Sequence, residues 1–78
     1  MRATLMNGTN AGKTYSLNWD NRTGTPIGGG SASSIVALFA GCSYVSFSLG
    51  TVVGSFAGGA DDIINALEAL HRGALVPA

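Results

Sequence analysis

Apolar and polar residues alternate near the start of the chain. Tyr15, Leu17 and Trp19 are separated by single polar residues, and this period of two is typical of a half-buried strand. Residues 3–6 form a shorter candidate strand upstream. Asn7 and Gly8 lie between the two segments, and both tolerate the positive φ angles of a tight turn. The pattern therefore predicts a β-hairpin over residues 3–19.

Residues 35–56 are apolar almost throughout. Within them Val45, Phe47 and Leu49 alternate with polar or half-polar neighbours, and β-branched and aromatic residues are frequent, which favours strands. We expect one strand over residues 35–40 and one long or two short strands over residues 44–56. Gly50 and Gly54 would then mark bulges or bends.

A membrane helix over residues 35–57 is the competing interpretation. This stretch carries no charge and is long enough to span a bilayer. Gly50, Gly54 and Gly58 recur at every fourth residue, which would place them on one helix face that a second helix can approach closely. Basic residues do not flank the stretch closely, since the nearest are Arg22 and Arg72. We therefore prefer the strands.

Helical spacing appears in residues 61–72. Asp61 is expected to cap the start of this helix, and Gly73 is a natural residue to follow its end. Leu75 and Val76 would pack back on the helix or add a short edge strand. Four apolar residues form a stripe along one side of the helix: Ile63, Ile64, Leu67 and Leu70.

Residues 25–34 are rich in glycine, serine and proline and are expected to form a loop or a mobile arm. With this segment placed between strands, residues 1–78 are predicted to form one α+β domain. Its small antiparallel sheet would hold the N-terminal hairpin plus one or two further strands. The C-terminal amphipathic helix would pack on one face of that sheet.

Charge is scarce in this chain. Only 10% of residues are charged, the formal net charge is zero, and residues 23–60 carry no charge at all. An average globular chain has about 25% charged residues, and a net charge near zero favours association. A chain of 78 residues also has a small core and often needs a staple. The single cysteine, Cys42, excludes an intramolecular disulfide, which leaves a partner chain as the expected supplement.

Catalytic and ligand-binding patterns are not evident. Asp61 and Asp62 are adjacent, so on a helix their side chains point about 100° apart and do not converge on a substrate atom. His71 and Cys42 are single residues without a partner at metal-ligand spacing. We therefore predict no enzyme activity, no cofactor and no metal. The balanced charge does not favour nucleic acid as a partner, and residues 1–10 show no export signal, which indicates cytoplasmic synthesis.

Three functional hypotheses follow. The first is a self-assembling structural protein, such as a phage or virion component, a filament subunit or a shell subunit, with itself as partner. The second is a small binding module or phage-type inhibitor that docks on one larger protein through Tyr15, Trp19 and Tyr44, because aromatic residues dominate binding hot spots. The third, not favoured, is a membrane-inserted or pore-forming peptide that uses the face of Gly50, Gly54 and Gly58.

Overall fold

A computed structural model describes residues 1–73 of the chain. Over these residues the chain forms six strands and two helices. The strands are β1 (Arg2–Leu5), β2 (Thr14–Asn18), β3 (Thr23–Pro26), β4 (Ser33–Ser34), β5 (Tyr44–Leu49) and β6 (Val52–Ala57). Helix α1 (Ile35–Leu38) lies between β4 and β5, and helix α2 (Ala60–His71) follows β6.

All six strands belong to one antiparallel sheet, in the order β4-β3-β2-β1-β5-β6. The predicted α+β class, N-terminal hairpin and C-terminal helix are confirmed. The sheet is larger than predicted, because residues 23–26 and 33–34, which were not expected in strands, pair as β3 and β4. The expectation for Leu75 and Val76 lies outside the described residues.

The expected loop over residues 25–34 was wrong at both ends. Thr25 and Pro26 complete β3, and β4 closes the segment. The Ile27 amide donates to the Thr14 carbonyl at 3.1 Å. Because bonded pairs recur at every second residue, the backbone groups of Thr25 also face β2, whereas those of Pro26 face away from it. The missing N–H of Pro26 therefore removes no bond to β2.

The expected strand over residues 35–40 is instead the short helix α1. The Phe39 amide donates a hydrogen bond to the Ile35 carbonyl at 3.0 Å. Ile35, Leu38, Phe39 and Cys42 are all buried, and their separations of three, one and three residues match one face of a helix. Burial of that face against the sheet favours the helix over an extended strand.

Residues 44–57 form the β5–β6 hairpin, which confirms two short strands. The strands pair without interruption from Leu49 and Val52 to Tyr44 and Ala57. Gly50 lies in the turn with a φ of 61°, so the expected bend is correct there. Gly54 pairs regularly with Phe47, so the expected bulge at this residue was wrong.

The strands and short helix in residues 35–57 also replace the single long helix of the competing interpretation. Of the helices in residues 1–73, none is both long and apolar enough to cross a membrane.

Helix α2 buries the predicted stripe against the sheet. Ile63, Ile64, Leu67 and Leu70 are each at most 4% exposed. The helix is capped by Gly59, not Asp61, because the Ile63 amide already bonds to the Gly59 carbonyl. Asp61 therefore lies in the first turn, where the helix dipole stabilises its negative charge. Gly73 follows the helix with a φ of 84°, as expected.

Both helices lie on one face of the sheet, here called the inner face. It holds alternate residues of the central strands, including Leu5, Leu17 and Val45, in one apolar cluster with the two helices. The opposite, outer face carries the intervening side chains and is not covered by any helix of residues 1–73. The fold thus leaves one sheet face and the sheet edges open to contact.

Candidate protein-interaction edge

Strand β6 lies at one end of the sheet and is the longer of its two edges. It has six residues against two in β4, and its sequence VVGSFA contains neither a charged residue nor a proline. Val53 is 72% exposed. Edge strands usually carry charge, proline, a bulge or a covering element that prevents pairing with another chain. Over residues 1–73, β6 has none of these.

The hydrogen bonds of the hairpin show which backbone groups of β6 face outward. The Gly58 amide donates to the Ser43 carbonyl at 3.0 Å, just beyond the last pair of β5 and β6. In an antiparallel ladder, bonded pairs recur at every second residue. Val52, Gly54 and Phe56 therefore bond to β5, whereas Val53, Ser55 and Ala57 turn their amides and carbonyls outward. These groups have no strand partner among the described residues.

The inner side of β6 combines an aromatic ring with a bare stretch of backbone. Phe56 is half-buried, and its ring stacks on Phe47 with centroids 5.0 Å apart. Phe47 in turn covers Gly54, where an added Cβ would lie only 2.9 Å from the Phe47 Cζ atom. A side chain at this position would have to displace the Phe47 ring, and glycine leaves the inner face of the edge without a side chain between Val52 and Phe56.

The outer face is rich in hydroxyl groups. Thr14, Thr4, Ser46 and Ser55 are in register across β2, β1, β5 and β6. The Thr4 and Thr14 hydroxyls are 2.8 Å apart and hydrogen-bonded. An open depression of about 490 Å³ lies on this face, and Arg2 is the one charged residue that lines it. Its lining contains hydroxyl groups but no carboxylate, imidazole or thiol that could act on them as a general base.

The three aromatic residues predicted to contact a partner lie in different environments. Tyr15 and Trp19 are 3% and 4% exposed and belong to the core of the inner face. Tyr44 is 44% exposed and lies at the start of β5, opposite Ala57 of β6. Of the three residues only Tyr44 has an exposed ring, and this ring lies beside the open edge.

Glu68 of α2 is paired with two arginine residues. Glu68 accepts hydrogen bonds from Arg22 at 3.0 Å and from Arg72 at 3.2 Å. The hydrogen bond from Arg72, with the nearby charge of Arg22, holds the pKa of Glu68 below its ordinary value, although partial desolvation opposes the shift. Arg22 also lies 5.9 Å from the Trp19 ring centre. This cluster ties the β2–β3 turn to α2 and lies on elements other than β6.

The remaining reactive side chains do not form a site. The Cys42 thiol is buried and donates to the Tyr44 carbonyl at 3.3 Å. The His71 ring lies 6.3 Å from that of Trp19 at the end of α2. Within residues 1–73 no three histidine, cysteine, aspartate or glutamate residues are grouped so that they could hold a metal ion.

Val53, Ser55 and Ala57 were not identified as contact residues from the sequence. The signal that points to them is the absence of charge after the β5 alternation, together with a two-residue turn at Gly50 and Thr51 that predicts a second strand paired with β5. Comparison of the chain with protein-family models, with curated proteins and with solved structures finds no match.

Proposed function

We propose that this chain is a non-enzymatic structural protein that assembles with copies of itself, and that β6 is the strand through which the copies join. The observation that carries the proposal is the outward-facing backbone of Val53, Ser55 and Ala57 on an exposed, uncharged edge. Strand addition would satisfy these groups, and the edge offers no charge to oppose a second strand.

The low charge of the whole chain supports the same function. Its net charge is zero, so copies repel one another weakly. The ion pairs of Glu68 lie within the chain and away from β6. Pairing of two copies at β6 would therefore depend on backbone hydrogen bonds and apolar contacts.

Molar mass in solution tests the proposal. Size-exclusion chromatography with light scattering, in detergent-free buffer over a series of concentrations, should give a mass that is a multiple of the 7.8 kDa chain. Val53→Lys should shift this mass toward the single chain, because a lysine on an edge strand disfavours pairing.

Val36→Lys is the matched control. Val36 is 55% exposed and lies on α1, away from β6, so the same substitution adds the same charge elsewhere. If both variants dissociate equally, charge alone explains the effect and the edge is not the contact. A wild-type chain that stays monomeric at every concentration contradicts self-assembly.

A second candidate function is docking on one larger protein, with the partner supplying the added strand. It is favoured by Tyr44, whose exposed ring lies beside β6 where an added strand would pass. This function requires a monomeric chain that binds its partner and loses that binding in Val53→Lys but not in Val36→Lys. Association of the purified wild-type chain decides for self-assembly instead.

A further inference from the structure

Because the backbone groups of alternate β6 residues face outward, we infer that β6 pairs with β6 of a second copy. The two strands are antiparallel, and the two-fold axis that relates them passes at Ser55. This inference rests on the proposed self-assembly and specifies its register. The axis would run perpendicular to the sheet, so that Ser55 of one copy lies opposite Ser55 of the other.

The count of backbone hydrogen bonds selects this register. An axis at Ser55 pairs Val53 with Ala57 of the second copy, Ser55 with Ser55, and Ala57 with Val53. All three outward-facing residues are then used, and each pair exchanges two bonds. Moving the axis by one residue in either direction leaves only two such pairs inside the strand.

The inner side chains agree with the same axis. Pairing about Ser55 places Phe56 of each copy directly opposite Gly54 of the other. Gly54 carries no side chain and is covered on the inner face by the Phe47 ring, so the incoming Phe56 would meet that ring across the Gly54 backbone. Aromatic side chains that meet across neighbouring strands stabilise a sheet.

The outer side chains present no conflict. Ser55 meets Ser55, two small hydroxyl side chains that can hydrogen-bond across strands. Val53 meets Ala57, a larger and a smaller apolar residue, at both ends of the contact. The two six-stranded sheets would join into one continuous sheet with the helices of both copies on the same face.

Cysteine cross-linking of the full chain tests the register. In Ser55→Cys the two new thiols would face each other on residues whose Cα atoms are about 5.5 Å apart. The Cβ atoms of such a hydrogen-bonded pair are also about 5.5 Å apart, beyond the roughly 3.5–4.5 Å of an unstrained disulfide. A short bifunctional thiol reagent such as dibromobimane should therefore convert most of this variant to a covalent dimer. Peptide mass mapping separates this cross-link from any that involves the native, buried Cys42.

Val53→Cys is the control, because Val53 is highly exposed and would reveal random collisions. In the inferred register its Cα atom is about four residues, or roughly 14 Å along the strand, from the same residue of the second copy. The Val53→Cys variant alone should form no covalent dimer. Mixed with Ala57→Cys, it should form a heterodimer, since these two residues are opposite each other.

The outcomes separate the register from the proposed function. If the wild-type chain associates but Ser55→Cys does not cross-link, the register is overturned while self-assembly stands. Cross-linking of mixed Val53→Cys and Ser55→Cys in its place would move the axis to residue 54. A wild-type chain that is monomeric at all concentrations overturns both.

Discussion

Gly24 in β3 is buried beside Leu38 of α1 and Leu17 of β2. A Cβ atom added at Gly24 would lie 2.7 Å from Leu38 Cδ1 and 3.1 Å from Leu17 Cδ2. The backbone of Gly24 does not have a positive φ, so alanine fits its conformation and only the side-chain contacts oppose it. Gly24→Ala is therefore a test of packing between β3 and α1.

The expected size of the effect follows from two opposing contributions. Overpacking of a core costs about 1–3 kcal/mol. Replacing glycine by alanine restricts the unfolded chain and offsets about 0.4–1 kcal/mol of that cost. The net loss in the free energy of unfolding should be about 1–2 kcal/mol, which for a domain of this size lowers the melting temperature by roughly 5–15 °C.

A double-mutant cycle with Leu38→Val isolates the cause. Valine lacks the Cδ1 atom that the new methyl group would meet, so Gly24→Ala should cost little in that background, with a coupling energy of about 1 kcal/mol. Urea unfolding can be followed by the fluorescence of Trp19, the single tryptophan, which is buried. Protein concentration must be held constant, because association changes apparent stability. Strictly additive costs would refute the proposed contact.

Three further predictions concern the core, the β1–β2 loop and the Glu68 cluster. Trp19→Ala should lower the free energy of unfolding by about 3–5 kcal/mol, which is comparable to the whole stability expected of a core this small. Circular dichroism should therefore show an unfolded chain. A folded variant would contradict the burial of Trp19. Asn7→Ala should lower the free energy of unfolding in urea by about 1–2 kcal/mol, because Asn7 accepts from the Ser43 amide at 2.7 Å and donates to the Ser43 hydroxyl at 2.9 Å. Ser43→Ala keeps the hydrogen bond from the residue 43 amide and should cost less. A larger cost for Ser43→Ala than for Asn7→Ala would be inconsistent with these bonds. Arg72→Ala should raise the pKa of Glu68, measured by NMR titration, because it removes the largest cause of the lowered value. Since the folded pKa lies below the unfolded one, the ion pairs stabilise the fold above the unfolded pKa and lose their effect as pH falls through the folded pKa; an unchanged titration in Arg72→Ala would contradict this account.

The sequence predicted best where periodicity and packing agree. The alternation in β2 and β5 identifies strands, and the stripe from Ile63 to Leu70 identifies α2. The helix α1 was missed although Ile35, Leu38 and Phe39 have helical spacing. Residues 35–40 are a short apolar run with β-branched members, and such runs do not separate strand from helix by composition.

Strands β3 and β4 were missed for a different reason. Thr23–Pro26 contains a glycine and a proline, which have low strand propensity. The segment becomes extended because β2 supplies hydrogen-bond partners, a tertiary effect that local composition does not contain. The alternation that identified β2 also places Tyr15 and Trp19 on the same face as Leu17. Their burial therefore follows from the alternation itself.

The two edges of the sheet differ in a way that limits how the chain can assemble. At β4 the Ile35 amide donates to the Arg22 carbonyl, so Ser34 is the one residue of that strand whose backbone turns outward. Before β4 the chain passes through Gly28, Gly29 and Gly30, all with positive φ, and after it α1 begins. A neighbouring strand would therefore gain one bonded pair at β4 but three at β6. Pairing through β6 uses the long edge of both copies at once and leaves two short edges at the ends. Continuous growth of the sheet by strand addition is thus disfavoured, and an assembly larger than a dimer requires contacts on another surface, for which the hydroxyl-bearing outer face is the largest area that the helices leave open.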